Sequence, residues 1–243
     1  MEKETKQWYA SWFDTPFYHI LYKERGYDEA GQFMKRLTQF LKLPNGAEIL
    51  DLACGKGRHS KYLNSLGFDV TGVDLSASSI AYAQQYKNDT LHFAVHDMCL
   101  PYPKQFDAIF NLFTSFGYFE DEQDNLRTIK AITSQIKSNG YGVIDFLNME
   151  YTHAHLIPEE TKVVDGIEFH LKRYFKEGYL LKDINFSHEG RDYAYTEKVK
   201  ALHLQDFKAY FEAAGVLVRH TIGDYNLEPF NVKTSPRLIL IFS

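Results

Sequence analysis

Cysteine is scarce in this sequence, because the 243 residues include only Cys54 and Cys99. Two cysteines make neither a disulfide framework nor a CxxC metal motif, which argues against a disulfide-stabilised scaffold and a zinc module. Long apolar runs are also missing, and none approaches the roughly 18 residues that indicate a membrane-spanning helix. The amino terminus is charged and aromatic and lacks the apolar core of a signal peptide. We therefore expect a soluble, cytoplasmic protein in a reducing compartment.

An excess of positive charge is absent as well. The chain has 27 Lys and Arg against 32 Asp and Glu, a net charge of −5, so neither a nucleic-acid nor a membrane partner is expected. The sequence has no HExxH, no clustered Cys and His, no GxSxG and no Walker loop, which argues against a metal centre, a serine hydrolase and a P-loop NTPase. What it does contain is 44% apolar residues, enough for the core of one domain with an elaboration.

The most informative stretch, residues 48–60, reads Glu-Ile-Leu-Asp-Leu-Ala-Cys-Gly-Lys-Gly-Arg-His-Ser. An apolar strand runs into a loop that contains Gly55 and Gly57, and a segment with helical spacing follows. Glycine lets the backbone bend sharply and approach a ligand closely, and the free N–H groups at a helix start favour polar or anionic groups. The pattern therefore predicts a site for a nucleotide-like ligand.

A second predicted strand, 68–73, ends in Asp74, which follows Gly55 by 19 residues. A carboxylate at that distance can accept hydrogen bonds from ribose hydroxyls, both in dinucleotide sites and in S-adenosylmethionine (SAM) sites. The glycine pattern is D-x-A-C-G-x-G from Asp51, and Ser60 stands where a dinucleotide fingerprint has its third glycine. Asp51 is unfavourable beside a pyrophosphate but suits a cationic sulfonium and an amino group. These two details favour SAM.

Strand and helix patterns alternate five times between residues 48 and 147, which favours a right-handed parallel sheet. With its acid followed by a glycine-rich loop, the chain resembles the class I SAM-dependent methyltransferases. The resemblance implies an α/β fold with a Rossmann-like, doubly wound, seven-stranded sheet. Its strand order would be 3-2-1-4-5-7-6, with the last strand antiparallel, and SAM would be the cofactor.

The resemblance also implies where the cofactor binds. An acid after the third strand, here Asp97, would accept a hydrogen bond from the adenine amino group. A Tyr-rich segment at residues 1–26 would form a lid, with Tyr18 and Arg25 at the methionine end of the cofactor. The full set of cofactor candidates is Asp51, Ala53, Cys54, Gly55, Gly57, Arg58, Asp74, Leu75, Ser76, Asp97, Met98, Asn111, Phe113, Tyr18 and Arg25.

The alternating pattern breaks between residues 150 and 200. Runs with β character are separated there by the acid-glycine pairs 165–166, 177–178 and 189–190, which are strong hairpin signals. We predict an antiparallel β insert in a methyltransferase domain made of residues 1–149 and 201–243. Several small-molecule N-methyltransferases, including those that act on amino sugars, are similar, and in them the extra sheet covers the mouth of the active site.

We therefore expect transfer of a methyl group from SAM to a small molecule by in-line displacement. Alternatives are a methyltransferase directed at RNA or protein, a nucleotide-binding oxidoreductase, and a SAM-binding module without catalysis. The candidate bases are His153, His155 and Tyr118. The candidate substrate contacts are Tyr151, Arg173 and Arg237, although either arginine could instead be a salt-bridge partner on a strand. The acceptor and the oligomeric state stay open at this point.

Overall fold

The computed structural model describes residues 12–23, 27–119 and 121–243. These residues form two compact units, a smaller one with 12–23 and 152–201 and a larger one with the rest of the described chain. None of the described helices is both long and apolar enough to cross a membrane.

Eleven strands lie in the described residues. In chain order they are β1 (Glu48–Leu52), β2 (Asp69–Asp74), β3 (Leu91–Val95), β4 (Phe106–Asn111), β5 (Ile136–Leu147), β6 (Glu159–Val164), β7 (Ile167–Lys176), β8 (Tyr179–His188), β9 (Arg191–Lys200), β10 (Val218–Ile222) and β11 (Arg237–Phe242). The α-helices that the same residues form are α1 (Pro16–Leu21), α2 (Tyr27–Phe40), α3 (Arg58–Ser65), α4 (Ala77–Ala83), α5 (Glu122–Gln135), α6 (Met149–Ala154) and α7 (Leu204–Ala214).

The larger unit is built on a seven-stranded sheet with the order β3-β2-β1-β4-β5-β11-β10. Strands β1 to β5 are parallel, whereas β11 is antiparallel to both of its neighbours. With the insert strands left out, this is the predicted order 3-2-1-4-5-7-6 with an antiparallel last strand, so the fold prediction is confirmed. The central strands β1 and β4 are mostly apolar and mostly buried, as expected for a parallel sheet covered by helices on both faces.

The parallel strands place the site residues at one edge of this sheet. Asp51 in β1 pairs with Gly72 in β2, and Asp74 at the end of β2 pairs with Val95 at the end of β3. Because β1 to β5 run in the same direction, the loops that follow them lie side by side at what we call the carboxyl edge. The parallel direction of the strands therefore brings the polar residues at their ends together at the carboxyl edge.

The boundary between α5 and β5 differs from the prediction. The sequence pattern predicts a helix to Lys137 that is stopped by Ser138-Asn139-Gly140, but α5 ends at Gln135 and β5 begins directly at Ile136. The reason is pairing, since Ile136 lies opposite Phe106 in β4. A Cβ at Gly140 would lie 2.8 Å from the carbonyl oxygen of Asp107, so this glycine permits close approach of two strands and does not stop a helix.

The smaller unit contains a four-stranded antiparallel sheet with the order β6-β7-β8-β9. Each of its three hairpins turns at a predicted acid-glycine pair, and both residues of each pair have a positive φ, for example +49° at Asp165 and +79° at Gly166. This is the backbone of the type I′ turn, which matches the twist of the adjoining strands. The predicted antiparallel insert is confirmed.

The described part of the N-terminal segment packs on this smaller sheet. Trp12 is buried with Phe169 and Ile184, and its indole N–H donates to Glu197 Oε1 at 2.8 Å. The Tyr22 hydroxyl donates to the same carboxylate oxygen at 2.6 Å. These aromatic residues therefore pack on a core beside a half-buried acceptor, and the lid function of residues 1–26 stays a prediction.

Candidate functional site

The loop between β1 and α3 has a strongly bent backbone. Ala53, Gly55 and Gly57 all have a positive φ, at +62°, +54° and +77°. Gly57 precedes the first residue of α3, and a Cβ there would lie 2.6 Å from the ring of Phe93. Glycine is required at this position for both conformation and space, whereas a Cβ at Gly55 would meet no atom within 4 Å. The open side of Gly55 leaves room for a ligand.

The two requirements at Gly57 can be separated by substitution. Gly46, in the same unit, has φ of +76° but open space around its Cβ direction. We expect Gly46→Ala to lower the free energy of unfolding by about 1 kcal/mol from backbone strain alone. Gly57→Ala should cost about 1–3 kcal/mol more, because Phe93 must move. Urea unfolding of both variants measures the difference, and equal losses would contradict the close packing.

Asp51 lies at the carboxyl end of β1 with only 3% of its surface exposed. The Ser60 hydroxyl donates to Asp51 Oδ2 at 2.6 Å, and a Cβ at Gly72 would lie 2.6 Å from Ser60 Oγ. Burial, together with the charge of Asp74, raises the pKa of Asp51 to about 7, against the effect of the Ser60 hydrogen bond. The sequence pattern drew attention to Ser60 only as a missing glycine, and its role as the partner of Asp51 becomes visible in three dimensions.

Asp74 joins two of the loops at the carboxyl edge. Its Oδ2 accepts the Gly55 N–H at 2.8 Å, and its Oδ1 accepts the Ser76 N–H at 2.8 Å. Ser76 in turn caps α4, because its hydroxyl accepts the Ser79 N–H at 3.0 Å. These bonds fix the Asp74 carboxylate between the glycine loop and the start of α4, at the carboxyl edge. Leu75 beside it is 46% exposed and offers an apolar surface.

The loops after β3 and β4 complete the edge. Asp97 Oδ1 accepts the Cys99 N–H at 2.9 Å, which fixes the turn after β3. Asn111 at the end of β4 is fully buried, and its amide nitrogen lies 3.4 Å from the carbonyl oxygen of Leu52 and 3.7 Å from the sulfur of Met98. Its Oδ1 has no hydrogen-bond partner among the described residues. A buried oxygen without a donor can accept a hydrogen bond from a ligand.

An aromatic contact links the first turn of α3 to the loop after β4. The His59 ring lies 4.4 Å from the Phe113 ring, and Arg58 Nη2 lies 2.8 Å from His59 Nε2. Burial, followed by the charge of Arg58, lowers the pKa of His59 to about 3. His59 is therefore neutral at neutral pH and accepts a hydrogen bond from Arg58. Burial also raises the pKa of the Cys54 thiol, so Cys54 contributes volume and not a thiolate.

Residues 49–140 match the family model described as a methyltransferase domain, and they contain the glycine loop and the ends of β1 to β4. In this domain and in its fold, the chain is similar to the class I SAM-dependent methyltransferases. Within the described residues, no three His, Cys, Asp or Glu side chains group in a way that could hold a metal ion.

Two curated relatives share parts of the sequence of this chain. YqeM of Bacillus subtilis (strain 168), provisionally named as a methyltransferase, is 33% identical over 123 residues, which are 49% of each chain. The dTDP-3-amino-3,4,6-trideoxy-alpha-D-glucopyranose N,N-dimethyltransferase of Streptomyces venezuelae is 25% identical over 132 residues, 53% of this chain and 54% of that protein. The chain thus spans about half the length of each of these two curated relatives.

A solved structure extends the similarity of fold over most of the chain. The sugar N-methyltransferase KedS8 from Streptoalloteichus sp ATCC 53650 superimposes with a TM-score of 0.74 at 20% identity, covering 92% of each chain. At this identity the similarity supports the fold, including the additional antiparallel strands.

The remaining candidate residues lie in several places. Tyr18 lies in α1, and Arg25 falls outside the described residues. Tyr151 and His153 lie in α6, and Tyr118 is half-buried in the segment after β4. Both His153 and His155 are exposed. Their roles in binding or catalysis stay predictions.

The two candidate arginines both form ion pairs within the chain. Arg173 Nη2 lies 2.6 Å from Glu160 Oε2, and its Nη1 donates to the Ile157 carbonyl at 3.3 Å. Arg237 Nη2 lies 2.7 Å from Asp145 Oδ1. These are the strand-face partners that the sequence allowed as the alternative to substrate binding. Contact of either arginine with a substrate stays a prediction.

Proposed function

We propose that this methyltransferase binds SAM at the carboxyl edge of β1 to β4 and transfers its methyl group to a small-molecule acceptor, an amine of the sugar type. The observation that carries the proposal is the arrangement of Asp51, Asp74 and Asp97 at the ends of three adjacent strands, beside a glycine loop that is itself bonded to Asp74. Acids around a cationic ligand suit a sulfonium better than a pyrophosphate.

The described residues fit the parts of such a cofactor. Asp74 lies at the end of β2, where a carboxylate can accept hydrogen bonds from ribose hydroxyls, and the exposed Leu75 and half-buried Met98 offer apolar surface for a base. The orphaned Asn111 Oδ1 can accept a hydrogen bond from an amino group. When bound, SAM supplies a methyl group on a positively charged sulfur. The chain's own contribution is to align the acceptor with that group in a site from which water is excluded.

A small amine acceptor is supported by the names of relatives. The Streptomyces venezuelae relative and KedS8 are both named as methyltransferases that act on sugar nitrogen. The net charge of −5 agrees with this acceptor class better than with an RNA substrate. Deprotonation of an amine needs a base, for which Tyr118, His153 and His155 remain the candidates. We also propose that the protein acts in the cytoplasm, as the sequence predicts.

Cofactor choice is tested by titration calorimetry of the whole chain with SAM, S-adenosylhomocysteine and NAD. We expect heat from the first two ligands and none from NAD. At 100 times its dissociation constant, SAM should stabilise the fold by about 2.7 kcal/mol, visible as a rise in the unfolding temperature. Binding of NAD without binding of SAM would support the oxidoreductase reading and end this proposal.

Acceptor class is tested by transfer of a labelled methyl group from SAM. We expect label in a mixture of nucleotide-linked amino sugars and none in the matched hydroxyl sugars, since the amine is the proposed nucleophile. Transfer to bulk tRNA at low salt that disappears at high salt would instead show a nucleic-acid substrate. Failure of both, with SAM bound, would favour the SAM-binding module without catalysis.

A further inference from the structure

A strained turn follows β4 at the carboxyl edge. Phe113 and Thr114 are consecutive non-glycine residues that both have a positive φ, at +59° and +62°. The left-handed conformation is unfavourable for such residues, and most of all for a β-branched one such as threonine. Strain of this kind persists only where the surrounding structure enforces it, and it concentrates at functional sites.

The enforcing contacts come from Asp145 and Arg237, an ion pair whose acid is buried. Asp145 in β5 is fully buried, its Oδ2 accepts the Phe113 N–H at 2.8 Å, and its backbone carbonyl accepts the Thr114 N–H at 3.0 Å. Arg237 in β11 donates from Nε to Asp145 Oδ1 at 2.8 Å and from Nη2 to Thr114 Oγ1 at 2.8 Å. The pair therefore holds both residues of the turn, one by its backbone and the other by backbone and side chain.

Only a carboxylate satisfies this arrangement. The Tyr225 hydroxyl also donates to Asp145 Oδ2, at 3.2 Å, and the Arg237 guanidinium lies 5.4 Å from the centre of the Tyr225 ring. Burial, followed by the charge of Asp145, raises the pKa of Tyr225, so the phenol keeps the proton that it donates. Three donor groups, the Phe113 amide, the Tyr225 hydroxyl and the Arg237 guanidinium, thus converge on two oxygens. An amide in place of the carboxylate would turn its own N–H₂ toward one or more of these donors.

The turn reaches the proposed cofactor site through Phe113. The centre of its ring lies 4.4 Å from the ring centre of His59 in α3, directly after the glycine loop. It lies 6.0 Å from the ring centre of Phe33 in α2. The same turn follows Asn111, whose buried Oδ1 is the proposed acceptor for the cofactor. Any change in the turn therefore moves the wall between the glycine loop and the end of β4.

We propose that Asp145 and Arg237 are a positioning pair, which sets the affinity for SAM by holding the Phe113–Thr114 turn in its strained conformation. Neither residue needs to touch the cofactor. The inference rests on the proposed function, because it assigns the turn to the SAM site. If the turn relaxes in most molecules, the apparent dissociation constant rises by the inverse of the fraction that keeps the strained conformation.

The first test is Asp145→Asn in the whole chain, with SAM binding measured by calorimetry and folding checked by thermal unfolding. We expect about tenfold weaker binding, as for a turn that is held in about one molecule in ten. The matched control is Asp107→Asn in β4, because the Asp107 carboxylate also accepts a backbone N–H, from Glu48 at 2.8 Å, and a cation, Lys137, at 2.9 Å. It lies toward the other edge of the sheet and should leave SAM affinity within about twofold.

The second test is rescue by Thr114→Gly. Glycine takes a positive φ without strain, so in the Asp145→Asn background this change should improve SAM affinity at least about threefold. In the wild-type background it removes an acceptor of Arg237 and should weaken binding slightly. If Asp145 only stabilised the fold in general, Thr114→Gly would weaken SAM binding in both backgrounds, and that result would overturn the proposal. Should Asp145→Asn fail to fold, Arg237→Lys, which loses the Thr114 contact but keeps the charge, takes its place.

A third measurement separates this inference from the proposed function. Hydrogen exchange at the Phe113 and Thr114 amides, without any cofactor, should be at least about tenfold faster in Asp145→Asn than in wild type or Asp107→Asn. Equal exchange in all three proteins would overturn the inference, whether or not SAM binds. A wild-type chain that binds no SAM would instead refute the proposed function, and faster exchange would then still support the control of the turn by Asp145.

Discussion

Asp74→Asn is expected to weaken SAM binding about 100-fold while the chain still folds. The proposed ribose contacts to a charged acceptor are worth about 1.5–3 kcal/mol each, and the amide group of asparagine would turn a donor toward the Gly55 or the Ser76 N–H. Because Asp74 is partly exposed at a strand end, the cost to folding should stay near 1 kcal/mol. Calorimetry with SAM and urea unfolding measure the two effects separately.

The matched control for Asp74 is Asp69→Asn. Asp69 is the first residue of β2 and Asp74 the last, so the two acids lie at opposite ends of one strand. We expect Asp69→Asn to bind SAM within about twofold of wild type, since it lies far from the proposed ligand. Equal loss in both variants would show that the effect comes from β2 as a whole and not from a ribose contact.

Asp51→Asn should stabilise the fold at high pH and weaken SAM binding. Burial raises the pKa of Asp51 from 3.8 to about 7, so the folded state binds a proton that the unfolded state has released. Its contribution to stability is fully present below about pH 4 and is lost as the pH rises through 7. Asparagine does not ionise. The stability advantage of the variant over wild type should therefore grow by on the order of 2 kcal/mol between pH 5 and pH 8.

The same substitution should change how SAM binding depends on pH. Wild-type affinity is expected to rise from pH 6 to pH 8 as Asp51 ionises beside a cationic ligand, whereas Asp51→Asn should bind weakly and with little pH dependence. Ser60→Ala is the companion variant, because loss of the hydrogen bond that lowers the pKa of Asp51 should shift the wild-type profile to higher pH. Parallel pH profiles of stability for wild type and Asp51→Asn would contradict the raised pKa.

Much of the fold could be predicted because its signals are local. Glycine with a positive φ at Gly55 and Gly57 and the acid-glycine hairpins each depend on residues that are close together in the sequence. The order of strands followed from the resemblance. By contrast, the end of α5 at Gln135 could not be predicted, because pairing of Ile136 with Phe106 overrides a good helix stop signal.

The parts of the site that could not be predicted depend on long-range contacts. Asp145 is separated from Arg237 by 92 residues and from Tyr225 by 80, and no spacing rule connects them. The strained turn at Phe113 and Thr114 contains no glycine and therefore has no local sequence signal. Arg237 was a candidate because an arginine can bind a carboxylate. The carboxylate that it binds in the structure is Asp145 of the chain itself.

The central claim is that acids at adjacent strand ends surround one adenosyl ligand. A crystal structure of the chain with S-adenosylhomocysteine tests it most directly. The predicted result is a ribose within hydrogen-bond distance of Asp74, an adenine beside Asp97 and Leu75, and an amino group near Asn111 Oδ1. A ligand bound elsewhere, or side chains that fill the space beside Gly55, would contradict the account.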